Sequence, residues 1–167
     1  MKSINAVLLT TVLFLASVIV ISASLYQQKQ TPNQADSEAL VKLVLNDHVK
    51  MMLMGNENST KNGIILLSTP SLRGLNIPSV VQGVSVRVLT QNKIDELSRV
   101  KPLNYVVFER VEKSHAYVGE AEVEVTFFWG YEVDAKEQSF GLNSGGTYFC
   151  SKSSVEWAIS GGEFWIP

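Results

Sequence analysis

The sequence contains a single cysteine, Cys150, and no run of three basic residues. One thiol cannot close an intramolecular disulfide, so the fold has to be stable without one. A phosphate backbone is bound by clustered basic side chains, whereas here 14 lysines and arginines are scattered among 16 acidic residues, with a formal net charge of −2. The sequence therefore predicts no nucleic-acid partner.

Motifs that hold cofactors or metals are also missing. No GxxxxGK[ST], GxGxxG, GxSxG or HExxH pattern occurs, and two histidines and one cysteine are too few for a structural zinc site. Neither a cofactor nor a metal is predicted. Nucleotide-dependent, serine-hydrolase and zinc-protease activities are not expected.

What the chain does have is a long uncharged segment near its start. Residues 6–25 contain no charged side chain, are almost entirely apolar and follow Lys2. The small residues at positions 22–24 suit a signal peptidase that cuts after Ala23 or Ser24. The segment is also about as long as a helix that crosses a ~30 Å hydrocarbon core, so an uncleaved membrane anchor is the alternative. In both cases Lys2 favours a domain outside the cytoplasmic membrane, periplasmic or extracellular.

The remaining chain has the length and composition of one domain with a core of its own. Three segments are predicted: a signal peptide or signal anchor (1–24), a polar linker (25–35) and a single α+β domain (36–167).

A helix is expected to open the domain. Asp36 or Ser37 is expected to cap it, and Gly55 to end it after Met54. Apolar residues at helical spacing predict one face, interrupted by Asp47, that packs on a sheet. Its members are Leu40, Leu43, Val44, Met51 and Met54.

A short strand (64–67) and a long irregular loop (68–81) are expected next, and loops of this length often bind ligands or act as lids. Val84, Val86 and Val88 alternate with other residues as in a strand, and Thr90 is expected to cap a short helix.

Apolar residues alternate with polar ones through the C-terminal half, which predicts a four-stranded antiparallel meander. Its strands are expected at 105–112, 117–129, 146–151 and 155–159. A loop is expected over 132–144, and Arg110 is expected near Glu120 on the polar face. The predicted fold is one long helix packed on a curved antiparallel sheet.

Three groups of side chains are candidates for chemistry. Glu120, Glu122 and Glu124 point to one face about 7 Å apart, a spacing that suits acid–base catalysis or cation binding, although a solvated strand face is the favoured interpretation. Asp47 and His48 are adjacent on the helix and so point in different directions, which is poor geometry for a catalytic pair. The third group is aromatic and is interpreted as core: Trp129, Tyr131, Tyr148, Trp157, Phe164 and Trp165.

Cys150 alternates with Tyr148 in a strand and is expected to be a buried small side chain rather than a reactive thiol. A nucleophile would need a histidine partner, and neither His48 nor His115 can be placed beside it from sequence.

Gly145-Gly146-Thr147-Tyr148, followed by Lys152, Trp157 and a terminal Trp165-Ile166, resembles the pattern of small exported bacterial proteins of unknown function. With the preceding helix and alternating strand, the pattern over residues 35–166 also resembles the cystatin-like, nuclear-transport-factor-like fold. That resemblance implies a helix packed on a curved sheet. Some members of that fold are enzymes with a His or Asp pair in the interior and many only bind ligands, and here Asp47 has no partner that can be located.

The expected function is that of a noncatalytic binding or accessory module of the cell envelope. No catalytic residue is assigned, and the binding residues are unknown. The expected partners are an envelope protein or a small ligand, and the membrane itself through residues 6–25 if these are not removed. The alternative is a small hydrolase or isomerase with a pocket between helix and sheet, using Asp47, His48 or His115 as acid or base.

Overall fold

The structure is a computed structural model that describes residues 32–55, 63–113, 119–134, 136 and 138–166. From Pro32 onward the chain forms one compact unit. The predicted signal or anchor segment, 6–25, lies outside the described residues. Within the described ranges, no helix is both long enough and apolar enough to cross a membrane.

The described residues form two α-helices and one sheet of seven strands, which confirms the α+β class. The elements are β1 (Ile64–Leu67), β2 (Val80–Val81), β3 (Val84–Leu89), β4 (Leu103–Lys113), β5 (Glu120–Val133), β6 (Ser139–Lys152), β7 (Trp157–Trp165), α1 (Gln34–Gly55) and α2 (Gln91–Ser98). A single turn of 3-10 helix, Pro70–Leu72, follows β1.

The strands lie in the order β2-β3-β1-β4-β5-β6-β7. Strands β4 to β7 pair antiparallel in sequence order, so the predicted meander is confirmed. The expectation of a purely antiparallel sheet is wrong, because β1 pairs in parallel with both β3 and β4. The chain crosses over through α2 between β3 and β4, which lets these two strands run in the same direction on either side of β1.

Helix α1 begins earlier than expected, and the face that it buries matches the expected one only in part, at Leu40 and Val44. Asn33 Oδ1 accepts a hydrogen bond from the backbone N–H of Asp36 at 2.8 Å, so Asn33 is the cap and the expected caps, Asp36 and Ser37, are wrong. Met51 and Met54 are 46% and 76% exposed, which contradicts their expected burial. Apolar residues on more than one side of the helix left the choice of face to packing. The face that packs on the sheet is Leu40, Val41, Val44, Leu45, His48, Val49 and Met52.

The two faces of the sheet are covered unequally. Helix α1 packs over a core that includes Val123, Val125 and Phe127 of β5, as their alternation predicted. On the opposite face, Ile94 of α2 packs against Tyr105 and other residues of β1 and β4.

Strand β6 begins at Ser139, inside the stretch expected to be a loop at 132–144, so that expectation is wrong. Glycine, serine and asparagine disfavour strands, but two aromatic rings of β7 fill the space above the β6 glycines. A Cβ atom on Gly145 would lie 2.8 Å from Trp165 Cζ2, and one on Gly146 would lie 2.5 Å from Phe164 Cδ1. The register puts these two glycines on opposite faces of the sheet, so one ring covers each face.

The long segment between β1 and β3 is held against the sheet. Where β1 ends, the hydroxyls of Thr69 and Ser71 donate to the carbonyl oxygens of Phe108 (3.0 Å) and Glu109 (2.8 Å) on β4. A two-residue turn joins β2 to β3, and Gln82 and Gly83 both have positive φ, 49° and 81°. This is the turn geometry that matches the twist of paired strands.

Candidate functional site

An open groove lies between α1 and the turn that joins β6 to β7. It has a volume of about 600 Å³, within the range of small-ligand sites. Six residues of α1 form one wall, and Lys152, Val155, Glu156 and Trp157 form the other; the helix wall is Ala35, Asp36, Ala39, Lys42, Leu43 and Asn46. We call this opening the α1–β7 groove.

Asp36 ties the two walls of the groove together. Its Oδ1 accepts hydrogen bonds from Lys152 Nζ at 2.6 Å and from Trp157 Nε1 at 2.9 Å. The Lys152 ammonium also lies 5.5 Å from the centroid of the Trp157 ring, within cation–π distance. The hydrogen bond from Lys152, and next the one from Trp157, hold the pKa of the Asp36 carboxyl below its ordinary value. The Trp157 ring is therefore held in one orientation beside the groove.

The turn at the mouth of the groove is closed by Ser153. The Ser153 backbone N–H donates to the Glu156 carbonyl oxygen at 2.9 Å, and its hydroxyl donates to the same oxygen at 3.1 Å. These bonds hold Val155 at the tip of the turn, where it is 80% exposed. An apolar side chain is thus presented to solvent at the rim of the groove.

The interior under α1 is filled by aromatic rings around His48. The imidazole is buried and stacks on Phe127, with ring centroids 4.3 Å apart, and the Trp129 ring lies 6.2 Å away. Burial lowers the pKa of His48 to about 4, so the ring is neutral at pH 7. The cavity that it borders has a volume of only about 10 Å³, room for about one water molecule.

Asp47 lies beside a different strand from His48. Burial, and next the negative charge of Asp47, raise the pKa of the Tyr148 phenol on β6. The neighbouring imidazole stacks on β5 instead. Asp47 and His48 therefore do not face a common space. This agrees with the prediction from their adjacency in the sequence that they point in different directions.

The glutamate row of β5 is paired with Arg110 of β4. The Arg110 guanidinium lies 3.0 Å from Glu112, 3.9 Å from Glu122 and 3.3 Å from Glu124. Its expected neighbour, Glu120, pairs instead across the sheet with Ser151. In the observed register Arg110 pairs with Glu124, four residues along β5 from Glu120. These partly exposed side chains form an ion-pair network on the sheet face.

The remaining candidates are dispersed. Tyr148 and Cys150 are each 1% exposed, which confirms that Cys150 is buried, and burial raises the pKa of its thiol to about 11. Phe164 and Trp165 are 55% and 47% exposed and so lie outside the core in which they were expected. His115 lies outside the described residues. Among the described side chains, no three His, Cys, Asp or Glu residues are placed to hold a metal.

The groove residues were missed by sequence reasoning. Asp36 is separated from Lys152 by 116 residues and from Trp157 by 121, so no spacing connects them. Asp36 was interpreted as a cap and Trp157 as core. The only local signal was the repeat of small residues, Ala35 and Ala39, one turn apart on the helix.

When the chain is compared with protein families, with curated proteins and with solved structures, nothing matches it.

Proposed function

We propose that this protein is a noncatalytic binding module of the cell envelope, placed outside the cytoplasmic membrane, and that the α1–β7 groove is its binding site. The observation that carries the proposal is the groove itself: about 600 Å³ of open space beside a tryptophan that is held in place by Asp36. Because the Trp157 ring is already fixed in orientation, it loses little conformational entropy when a ligand packs on it, and this favours binding.

Placement outside the membrane rests on the sequence alone. The apolar segment 6–25, preceded by Lys2, has the features of a signal peptide or anchor.

The second candidate function is a small hydrolase or isomerase that uses His48. The neutral imidazole is the form of histidine that accepts a proton, and it borders a cavity. Against this role, the cavity holds about one water molecule, and a substrate would have to displace Phe127 or Trp129.

Binding by small fragments separates the two candidates. We expect a fragment screen followed by ¹⁵N–¹H correlation spectra to give shifts that centre on the Trp157 indole N–H, because this group lies at the groove. Ala39→Phe, an exposed position on the helix wall, should fill the groove and abolish these shifts, whereas Lys50→Phe, exposed on the same helix outside the groove, should not. Shifts that centre on His48 and survive Ala39→Phe would instead support the enzyme.

Intact mass and cell fractionation test the location. Expressed in a bacterial host with its own N-terminus, the protein should be either full-length in the membrane fraction or soluble outside the cytoplasm and shortened by cleavage after Ala23 or Ser24. Full-length protein that is soluble in the cytoplasm would contradict the envelope location and leave the groove to be tested separately.

A further inference from the structure

The helix wall of the α1–β7 groove has an apolar end and a polar end. Ala35 and Ala39 lie one turn apart at the start of the wall, and Lys42 and Asn46 lie one turn apart further along. The two methyl side chains leave space beside the Trp157 ring, because any larger side chain at these positions would reach into the groove. Leu43 follows Lys42 and precedes Asn46, so an apolar side chain also lies within the polar end of the wall.

The groove presents one cation and one anion that pair with no other group in the described part of the chain. Lys152 is neutralised by Asp36 at 2.6 Å. The Lys42 ammonium, on the helix wall, has no hydrogen bond or ion pair among the described residues, and the Glu156 carboxylate, on the turn wall, has none either; both residues are exposed. Among the described residues, the helix wall thus carries an unpaired cation and the turn wall an unpaired anion.

From this charge pattern we propose that the groove binds a short peptide with free ends. The peptide carboxylate pairs with Lys42 and accepts from the Asn46 amide, the α-ammonium pairs with Glu156, and apolar side chains pack on Ala39, Leu43 and Trp157. The groove is open and has polar as well as apolar lining, which suits a peptide backbone, and about 600 Å³ accommodates a peptide of a few residues. This inference rests on the proposed binding function of the groove and names its ligand class.

Trileucine in four forms tests the proposal: free at both ends, N-acetylated, C-amidated, and blocked at both ends. The readout is the shift of the Trp157 indole N–H on titration of the full-length or naturally processed protein. The free peptide should bind most tightly. Blocking either end should weaken binding about three- to five-fold, the effect expected of one exposed ion pair.

Two charge-removing variants assign each end of the peptide. In Lys42→Gln, amidation should no longer weaken binding while acetylation still does; in Glu156→Gln, the reverse should hold. Lys50→Gln and Glu109→Gln remove the same charges from exposed positions outside the groove and should leave all four affinities unchanged.

The outcomes also separate this inference from the proposed function. If all four peptides shift Trp157 with equal affinity, the groove binds apolar groups but the recognition of free ends is wrong. If the free peptide gives no shift at about 10 mM, where even a millimolar site is mostly filled, peptide binding is wrong. In that case the fragment screen with Ala39→Phe still decides whether the groove binds anything else.

Discussion

At the scale of single residues, His48 is the side chain whose protonation should dominate stability in mild acid. Its native pKa is held near 4 by burial, against an ordinary value of 6.5. Between these values the imidazole binds a proton in the unfolded chain but not in the native protein. The free energy of unfolding is therefore largest above pH 6.5 and falls as the pH drops towards 4.

We therefore expect the free energy of unfolding to fall by about 2 kcal/mol between pH 7 and pH 5. Urea unfolding at the two pH values measures it. His48→Phe keeps a ring to stack on Phe127 and removes the titrating group, so its loss over the same range should be much smaller. An equal loss in both proteins would mean that other groups cause the pH dependence.

Asp36 is the second residue with a large expected effect, because one carboxylate oxygen serves both Lys152 and Trp157. Asp36→Ala should lower the free energy of unfolding at pH 7 by about 1–2 kcal/mol. Asp36→Asn keeps an oxygen for the Trp157 indole and should cost less. The native pKa of Asp36 is lowered, so its contribution is present above pH 3.8 and is lost as the pH falls further. Equal losses in the two variants would show that the bond to Trp157 adds nothing.

At the scale of elements, the pairing of β6 with β7 depends on the space above two β6 glycines. A methyl group on Gly146 would meet the Glu163 carbonyl oxygen and lie 2.5 Å from Phe164 Cδ1, so backbone as well as side chain would have to move. At Gly161 of β7 the nearest atom to a new methyl is Phe149 Cδ2, at 3.8 Å, an ordinary contact distance. A methyl group should therefore be tolerated at Gly161 and not at Gly146.

Gly146→Ala should lower the free energy of unfolding by about 2–3 kcal/mol, as overpacking does. Gly161→Ala, the matched control, should change it by less than about 1 kcal/mol. Chemical denaturation of both variants measures the difference. If the two variants were equally stable, the close approach of Phe164 to β6 would not be a feature of the folded protein.

At the scale of the whole molecule, the sheet has two unequal edges. One edge strand, β2, has two residues, whereas the other, β7, has nine and carries Glu163 as its only charge. Exposed edge strands pair with other chains unless charge, shortness or a bulge prevents it. A shift in register between Phe149 and Cys150 gives the β6–β7 pair a bulge, so this bulge and Glu163 are the protections present on β7.

Glu163→Gln should therefore increase self-association with rising protein concentration, as measured by sedimentation velocity. Glu96→Gln makes the same change of charge at an exposed position of α2 and should leave self-association unchanged. If both variants associated equally, net charge rather than the edge would be responsible.

Several features of the fold followed from local patterns. Val123, Val125 and Phe127 alternate with glutamates and a threonine, and a strand with one buried face is the arrangement that covers the apolar half of such a sequence. The resemblance to the cystatin-like fold also implied a helix on a sheet. That the chain is related to proteins of that fold remains a prediction. The start of α1, in contrast, was expected later than it is. Asn33 caps the helix, but an asparagine can serve equally well in a turn, so the sequence did not identify it as the cap.

The sequence by itself determined which residues are apolar and with what period, and hence the class of the fold, the long helix and the meander. Only the tertiary structure decided which face of α1 is buried, that β1 runs parallel to β3 and β4, and that Asp36 meets Lys152 and Trp157. Periodicity is a local property that is repeated along the chain, whereas these contacts join residues far apart in sequence. They depend on how all the layers pack together, and the α1–β7 groove is formed only when they do.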